Sequence, residues 1–287
     1  YLIALVLGVG IPVGVIYLLE LTKFKIEGRG DVEKLTRLPI VGDVPLTGEK
    51  NGSIAVFENQ NNLMSETFRN IRTNIQFMLQ NDRKVILVTS TVSGEGKSFT
   101  SANLAISLSL LGKKVVIVGL DIRKPGLNKV FSLSSKEKGI TQYLSNPEMD
   151  LMSLVQPSDV NKNLFILPGG TVPPNPTELL EDGSLATLMQ DLRDEYDYIF
   201  IDCPPIDIVA DTQIIEQYAD RTLFVVRAGL LDRSLLPELE SIYQEKRFKN
   251  LSVILNGTES TGGRYGYRYG YRYGYHNGYD SYYGNTK

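Results

Sequence analysis

The chain has 287 residues, 42% of them hydrophobic, with 30 basic and 33 acidic side chains and a formal net charge of −3. That length supplies one large domain or two smaller ones, and a near-neutral balance by itself names no charged partner. A single cysteine, Cys203, excludes an internal disulfide and fits a reducing compartment.

The first segment, YLIALVLGVGIPVGVIYLL from Tyr1 to Leu19, carries no charge. As a helix it would span about 28 Å, close to the ~30 Å of bilayer hydrocarbon. It lacks the basic start and small-residue cleavage site of a signal peptide. Gly8, Gly10, Pro12 and Gly14 would weaken a helix buried in a soluble core. The expectation is a transmembrane helix, with Lys23 and Lys25 marking the cytoplasmic side. Because the chain opens straight into this segment, it reads as part of something longer.

From Gly28 to about Gln60 the chain is rich in Gly, Pro and Asn, including LPIVGDVPLTGEKNG, and residues 20–60 are expected to be a juxtamembrane connector with limited structure. A helix is expected near Ser65, where Phe68, Ile71, Ile75 and Met78/Leu79 form a stripe of helical period. Strands are expected at Val85–Thr89, Val115–Val118, Leu164–Leu167, Tyr198–Ile201, Thr222–Val226 and Ser252–Leu255, alternating with helical stretches. That alternation predicts an α/β fold over residues 61–260: a doubly wound, mostly parallel sheet covered on both faces. Residues 261–287 form the last unit, a tail.

The strand VILVTS runs into TVSGEGKS and then a helical stretch. This approximates the P-loop G-x-x-x-x-G-K-[ST], whose backbone N–H groups and helix N-terminus bind phosphate. Gly96, Lys97 and Ser98 match it, Gly94 adds flexibility, and Thr91 stands at the first glycine position. Lys97 would reach the β/γ-phosphates and Ser98 would bind Mg²⁺. Asp121 follows one strand in VVIVGLDIRKP, and Asp202 ends another in YDYIFIDCPP, the position of a Walker B carboxylate. In an open parallel sheet, ligands bind outside the carboxyl ends of the strands. The three strand ends therefore define one expected metal–nucleotide site.

The sequence resembles the bacterial tyrosine kinase (BY-kinase) domain of Wzc-like polysaccharide co-polymerases. The resemblance rests on the P-loop, Asp121-Ile122-Arg123-Lys124-Pro125, IDCPP at Ile201–Pro205, PPNPTELL at Pro173–Leu180, Glu66-x-x-Arg69-x-x-Arg72 and the terminal tyrosines. It implies autophosphorylation on tyrosine with ATP (leaving ADP) and Mg²⁺. Lys97, Asp121 and Asp202 would be catalytic, and Ser98, Asp121 and Asp202 would hold the metal. Ser93, Gly94, Glu95, Gly96, Lys97, Ser98 and Phe99 would bind the nucleotide, with Asn256 at the adenine and Asp211 at the periphery. Asp121 is the expected base or metal-associated carboxylate that helps deprotonate a phenol whose ordinary pKa is near 10. The family's second Walker motif usually carries two aspartates around one residue, and here Gly119 stands at the first.

Partner expectations follow from the same resemblance. Glu66, Arg69 and Arg72 would mediate contacts in a homo-oligomeric ring, an octamer in the family. The other implied partners are polysaccharide polymerase and export machinery, a phosphotyrosine phosphatase and the cytoplasmic membrane, with no nucleic acid. Partitioning ATPases carry a signature lysine where this chain has Val92, which argues against the alternative of an ATPase switch whose tail is a binding arm. Cys203 reads as a small, buried, inert residue, and His276 stands alone.

The tail, GGRYGYRYGYRYGYHNGYDSYYGNTK, holds nine of the chain's 16 tyrosines: Tyr265, Tyr267, Tyr269, Tyr271, Tyr273, Tyr275, Tyr279, Tyr282 and Tyr283. Ordering it would cost roughly 1–2 kcal/mol per residue with little apolar burial in return, so disorder is expected. Three readings fit: a phosphoacceptor cluster, a nucleic-acid arm in which Arg264, Arg268 and Arg272 join stacking aromatics, or a self-association segment. An ATP site in the same chain favours the first.

Overall fold

The computed structural model describes residues 8–9, 12–14, 24–46, 53–58, 62–79, 84–134, 137–206 and 210–259. Most of the expected membrane span, Tyr1–Leu19, and all of the tyrosine tail lie outside these residues. Among the described residues, no helix is long and apolar enough to cross a membrane.

Eight strands form one sheet: β1 (Ile40–Leu46), β2 (Val85–Ser90), β3 (Val115–Gly119), β4 (Gln156–Pro157), β5 (Leu164–Leu167), β6 (Tyr198–Asp202), β7 (Arg221–Arg227) and β8 (Ser252–Glu259). Their order is β1-β8-β7-β2-β6-β3-β5-β4. All neighbouring pairs are parallel except β4 with β5. The helices are α1 (Arg29–Leu35), α2 (Leu63–Met78), α3 (Lys97–Ser109), α4 (Leu127–Val130), α5 (Ile140–Ser145), α6 (Pro176–Glu181), α7 (Ser184–Glu195), α8 (Asp211–Glu216) and α9 (Leu236–Gln244).

The central strands are continuous apolar runs because helices cover both faces. Every residue of β2 and of β3 is buried. Side chains alternate between the faces, so Ile86 and Val88 enter one core with Phe68, Ile71 and Ile75 of α2 and Leu104 and Leu108 of α3. Val85 and Leu87 enter the other, with Leu144 of α5 and Leu185, Leu188 and Leu192 of α7. Helix α2 starts where Asn62 caps it, its side chain accepting from Ser65 N at 2.8 Å.

The stretch expected as a connector with little structure instead supplies α1 and β1. β1 is an edge strand parallel to β8, with register shifts between Ile40 and Gly42 and between Val44 and Pro45. An edge position with bulges accommodates the Gly and Pro that had made this stretch look like a loop. Gly42 is required by packing, since a Cβ there would lie 2.5 Å from Ile71 Cγ1. Helix α1 inserts Val32 into a third apolar cluster with Leu236, Leu239 and Ile242 of α9. Just before α1, Ile26 N donates to Leu231 O at 3.0 Å and Gly229 N to Ile26 O at 2.7 Å.

From β2 the chain moves to β3 and β5, then returns to insert β6 and adds β7 and β8 on the other side. This reversal beside β2 gathers the carboxyl ends of β2, β3, β6, β7 and β8 at one edge, where ligands bind in doubly wound sheets.

Candidate active site

The loop Thr91–Gly96 joins β2 to α3 across that edge. Gly94 and Gly96 adopt φ of +93° and +94°, a region that strains other residues. Thr91, at the first glycine position of the motif, is not among the described residues with positive φ, so its backbone is accessible to threonine. Ser93 and Gly94 stand exposed at the lip of the loop. Phe99 instead turns toward α2, meeting Phe68 edge-on with ring centroids 5.9 Å apart.

Lys97 and Ser98 open α3 and reach two different carboxylates. Lys97 Nζ donates to Asp121 Oδ2 at 2.6 Å, both side chains being buried. Burial opposes the lysine charge, but Asp202 and Asp121 outweigh it and raise its pKa above the ordinary value. The other Asp121 oxygen accepts from Lys124 N at 3.0 Å. The strand ends themselves are tied, with Asp121 N donating to Asp202 O at 2.9 Å.

Ser98 Oγ donates to Asp202 Oδ2 at 2.6 Å. Oδ1 of Asp202 is buried without a hydrogen-bond partner. Burial drives this carboxyl up to about 6, against the opposing pull of Lys97 and Ser98. A buried, half-satisfied carboxylate beside a P-loop hydroxyl fits Mg²⁺, which takes one or two protein oxygens and completes its shell with water and phosphate. Among the described residues, no three His, Cys, Asp or Glu side chains cluster as a ready-made cage. Ser98 and Asp202 are the residues that would hold the ion, which would neutralise charge on a bound phosphate.

Gly119 lies opposite Asp202 in the β3–β6 register. A Cβ at 119 would approach Gly169 N to 3.0 Å, so the two glycines pack backbone against backbone. Asp121 is therefore left without the companion carboxylate that the resemblance leads one to expect at 119. Gly126, which sequence reasoning did not single out, lies against the Ser98–Asp202 pair. A Cβ on it would stand 2.3 Å from Ser98 Oγ and 3.7 Å from Asp202 Oδ2. Its only sequence signal is the turn dipeptide Pro125-Gly126 after Asp121.

Asp211 is buried and engaged by other partners. Arg123 grips it through Nε at 2.7 Å and Nη2 at 3.1 Å, and Thr177 Oγ1 donates to it at 2.8 Å. The loop after β3, the PPNPTELL segment and the start of α8 are thereby joined. Asn256 is buried near the phosphate loop, its Nδ2 donating to Glu95 O at 2.8 Å. Cys203 is fully buried, and burial pushes its thiol well above the ordinary range.

On α2, Glu66 and Arg69 pair with each other, three residues apart. Arg72 turns inward, donating through Nη1 to Ser107 O of α3 at 2.8 Å. The three expected oligomerisation residues thus divide, two on the helix surface and one joining α2 to α3.

Comparison with known proteins places these features. Residues 83–244 match the AAA domain family. Tyrosine-protein kinase CpsD of Streptococcus agalactiae is 36% identical over 201 residues, covering 70% of this chain and 85% of CpsD. Tyrosine-protein kinase YwqD of Bacillus subtilis is 36% identical over 207 residues, covering 71% and 86%. The kinase domain of Escherichia coli tyrosine kinase ETK superposes with a TM-score of 0.70 at 25% identity, covering 84% of this chain and 98% of that domain. The chain belongs to this bacterial tyrosine-protein kinase family, and its enzyme class is that of the family, protein-tyrosine kinase.

Proposed function

We propose that the protein is an autokinase whose substrate is its own tyrosine cluster, Tyr265 to Tyr283, and that Mg²⁺-ATP is the donor. The phenolate oxygen attacks the γ-phosphorus, the bond to the bridging oxygen breaks, and ADP departs with the electron pair. Asp121 takes the phenolic proton. Both its oxygens accept hydrogen bonds, one of them from Lys97. Incoming phosphates draw Lys97 toward themselves, which frees that oxygen for the phenol. Positioning and charge stabilisation supply most of the rest.

The observation that carries this reading is that β8 points its carboxyl end at the edge holding Lys97, Asp121 and Asp202, and the chain continues from Glu259 toward the tyrosines. Five residues lie between Glu259 and Tyr265, and the six chain steps reach about 20 Å when extended. Transfer occurs in trans within a ring, where a heterologous interface brings one subunit's tail to the next subunit's site. Glu66 and Arg69 on the α2 surface serve that interface.

Each phosphate adds about −1.5 to −2 charges, so three or four reverse the sign of a tail carrying Arg264, Arg268, Arg272 and Lys287 against Asp280. Repulsion then loosens the ring. Tyr1–Leu19 anchors the enzyme at the cytoplasmic membrane, where this cycle regulates surface polysaccharide export and a phosphatase resets it. The test is mass spectrometry of the tail after incubation with Mg²⁺-ATP. Wild type gains phosphotyrosine and Lys97→Met does not; unmodified tyrosines in wild type sink the reading. Mixing Lys97→Met chains with active chains whose nine tail tyrosines are Phe isolates transfer in trans.

A further inference from the structure

Glu95 occupies a place where its charge is a liability. It lies inside an anion-binding loop, yet its side chain is completely buried. A carboxylate there repels phosphate and gives up hydration, so it requires strong donors in compensation. Two backbone amides supply them: Val92 N donates to Oε2 at 2.8 Å, and Arg227 N donates to Oε1 at 3.1 Å. The main-chain oxygen of the same residue accepts from Asn256 Nδ2 at 2.8 Å.

The donors come from neighbouring strand ends. Arg227 of β7 pairs with Asn256 of β8, and Ala228 N donates to Asn256 O at 2.9 Å. One loop residue is therefore gripped by its side chain and its main chain at once. The next residue sets how closely the grip can form. A Cβ at Gly96 would stand 2.1 Å from Asn256 Nδ2, so both the approach and the positive φ require glycine.

We propose that Glu95 and Asn256 are positioning residues that brace the phosphate loop, and that Asn256 contributes to nucleotide binding through the loop rather than through the base. The inference rests on Thr91–Ser98 being the phosphate loop. Glu95 withdraws the Val92 N–H from the ligand side and ties the loop to β7, so the cradle is shaped before phosphate arrives. Ordering the loop in advance removes that cost from binding. One of the two Asn256 amide N–H donors is committed to Glu95 O, which holds this side chain against the loop. Because β8 leads on to the tyrosine cluster, the brace also joins the phosphate loop to the strand from which the substrate tail departs.

The test uses the full 287-residue chain and two ligands, ADP and inorganic tripolyphosphate, which has no base. Glu95→Gln and Asn256→Ala are each expected to weaken both ligands by the same factor, about ten-fold. The double variant is expected to be little worse than either single change, because both act on one loop conformation. A loss confined to ADP would assign Asn256 to the base and overturn the brace, as would unchanged constants or fully additive losses. A wild-type chain that bound neither ligand would instead overturn the phosphate-loop reading, and the brace with it. Hydrogen exchange on the wild type needs no variant to fold. The Val92 and Arg227 amides are expected to be protected without nucleotide; a Val92 amide that exchanges fast until ADP is added would overturn the proposal.

Discussion

Ser98 and Asp202 meet at the carboxyl edge of the sheet, the serine hydroxyl donating to Oδ2 at 2.6 Å while Oδ1 stays buried and unpartnered. This pairing satisfies only one oxygen of a buried carboxylate, whose charged form burial disfavours. A buried carboxylate with one oxygen unmet carries a cost to stability, which a bound cation would relieve.

The first prediction concerns pH. Burial lifts Asp202 from an ordinary 3.8 to about 6. A carboxyl raised in the folded state favours the protonated form, so its contribution is fully present below about 4 and is lost as pH rises through about 6. The difference at neutral pH is about 3 kcal/mol. Without nucleotide and Mg²⁺, Asp202→Asn is therefore expected to be more stable than wild type at pH 7. The advantage should shrink as pH falls from 6 toward 4. Urea unfolding across that range checks it, and equal pH slopes for the two proteins would refute it.

The second concerns Lys97, whose loss has two separable effects. Lys97→Met leaves Asp121 buried without its partner, which destabilises by about 3 kcal/mol when the carboxylate stays charged. It also removes the cation expected to meet the phosphates, lowering phosphorylation by about 10²–10³-fold. Lys97→Met/Asp121→Asn should recover most of the stability while remaining inactive. Thermal unfolding and tail phosphorylation, measured on the same samples, separate the two.

The readable parts of the sequence were those whose local pattern matches their tertiary setting. β2, β3 and β6 could be read because runs such as VILVTS and VVIVG are buried on both faces. Lys97, Asp121 and Asp202 could be placed together because parallel strands align their carboxyl ends. β1 was not readable: Gly42, Asp43 and Pro45 look like a loop until Ile71 and the β8 edge are known. Nor does spacing reveal that Arg72 points inward, or that the Glu95 side chain faces Val92 and Arg227. Those depend on which atoms another element presents, and a single sequence does not print that.

Arg72 gives the third prediction. Ser107 is among the last residues of α3, where carbonyls lack intrahelical donors, and Arg72 caps its oxygen. Arg72→Ala is expected to destabilise the dilute, unassembled chain by about 1 kcal/mol. Arg69→Ala removes a half-exposed pair with Glu66 and should cost only about 0.3–0.5 kcal/mol. Sedimentation should show the opposite ranking, with Arg69→Ala weakening self-association more. If both variants lost assembly equally and kept equal stability, the division of the motif would be wrong.

Gly126 allows a steric test of the metal site without touching its ligands. Its backbone sits at φ −73° and ψ −33°, a conformation alanine adopts freely, so Gly126→Ala should not strain the chain. The added methyl would stand 2.3 Å from Ser98 Oγ and 3.1 Å from its Cβ. Ser98 must turn away, and Oδ2 of Asp202 loses its donor. Displacing a catalytic group by about 1 Å can cost about 10²-fold in rate. The expected result is a folded protein whose phosphorylation falls by about that factor. The Mg²⁺ concentration needed for half-maximal rate should rise, while ADP binding without Mg²⁺ stays near wild type. A variant with an unchanged Mg²⁺ requirement would show that Ser98 does not serve the metal, and the chemistry assigned to this edge of the sheet would have to rest on Asp202 and Asp121 alone.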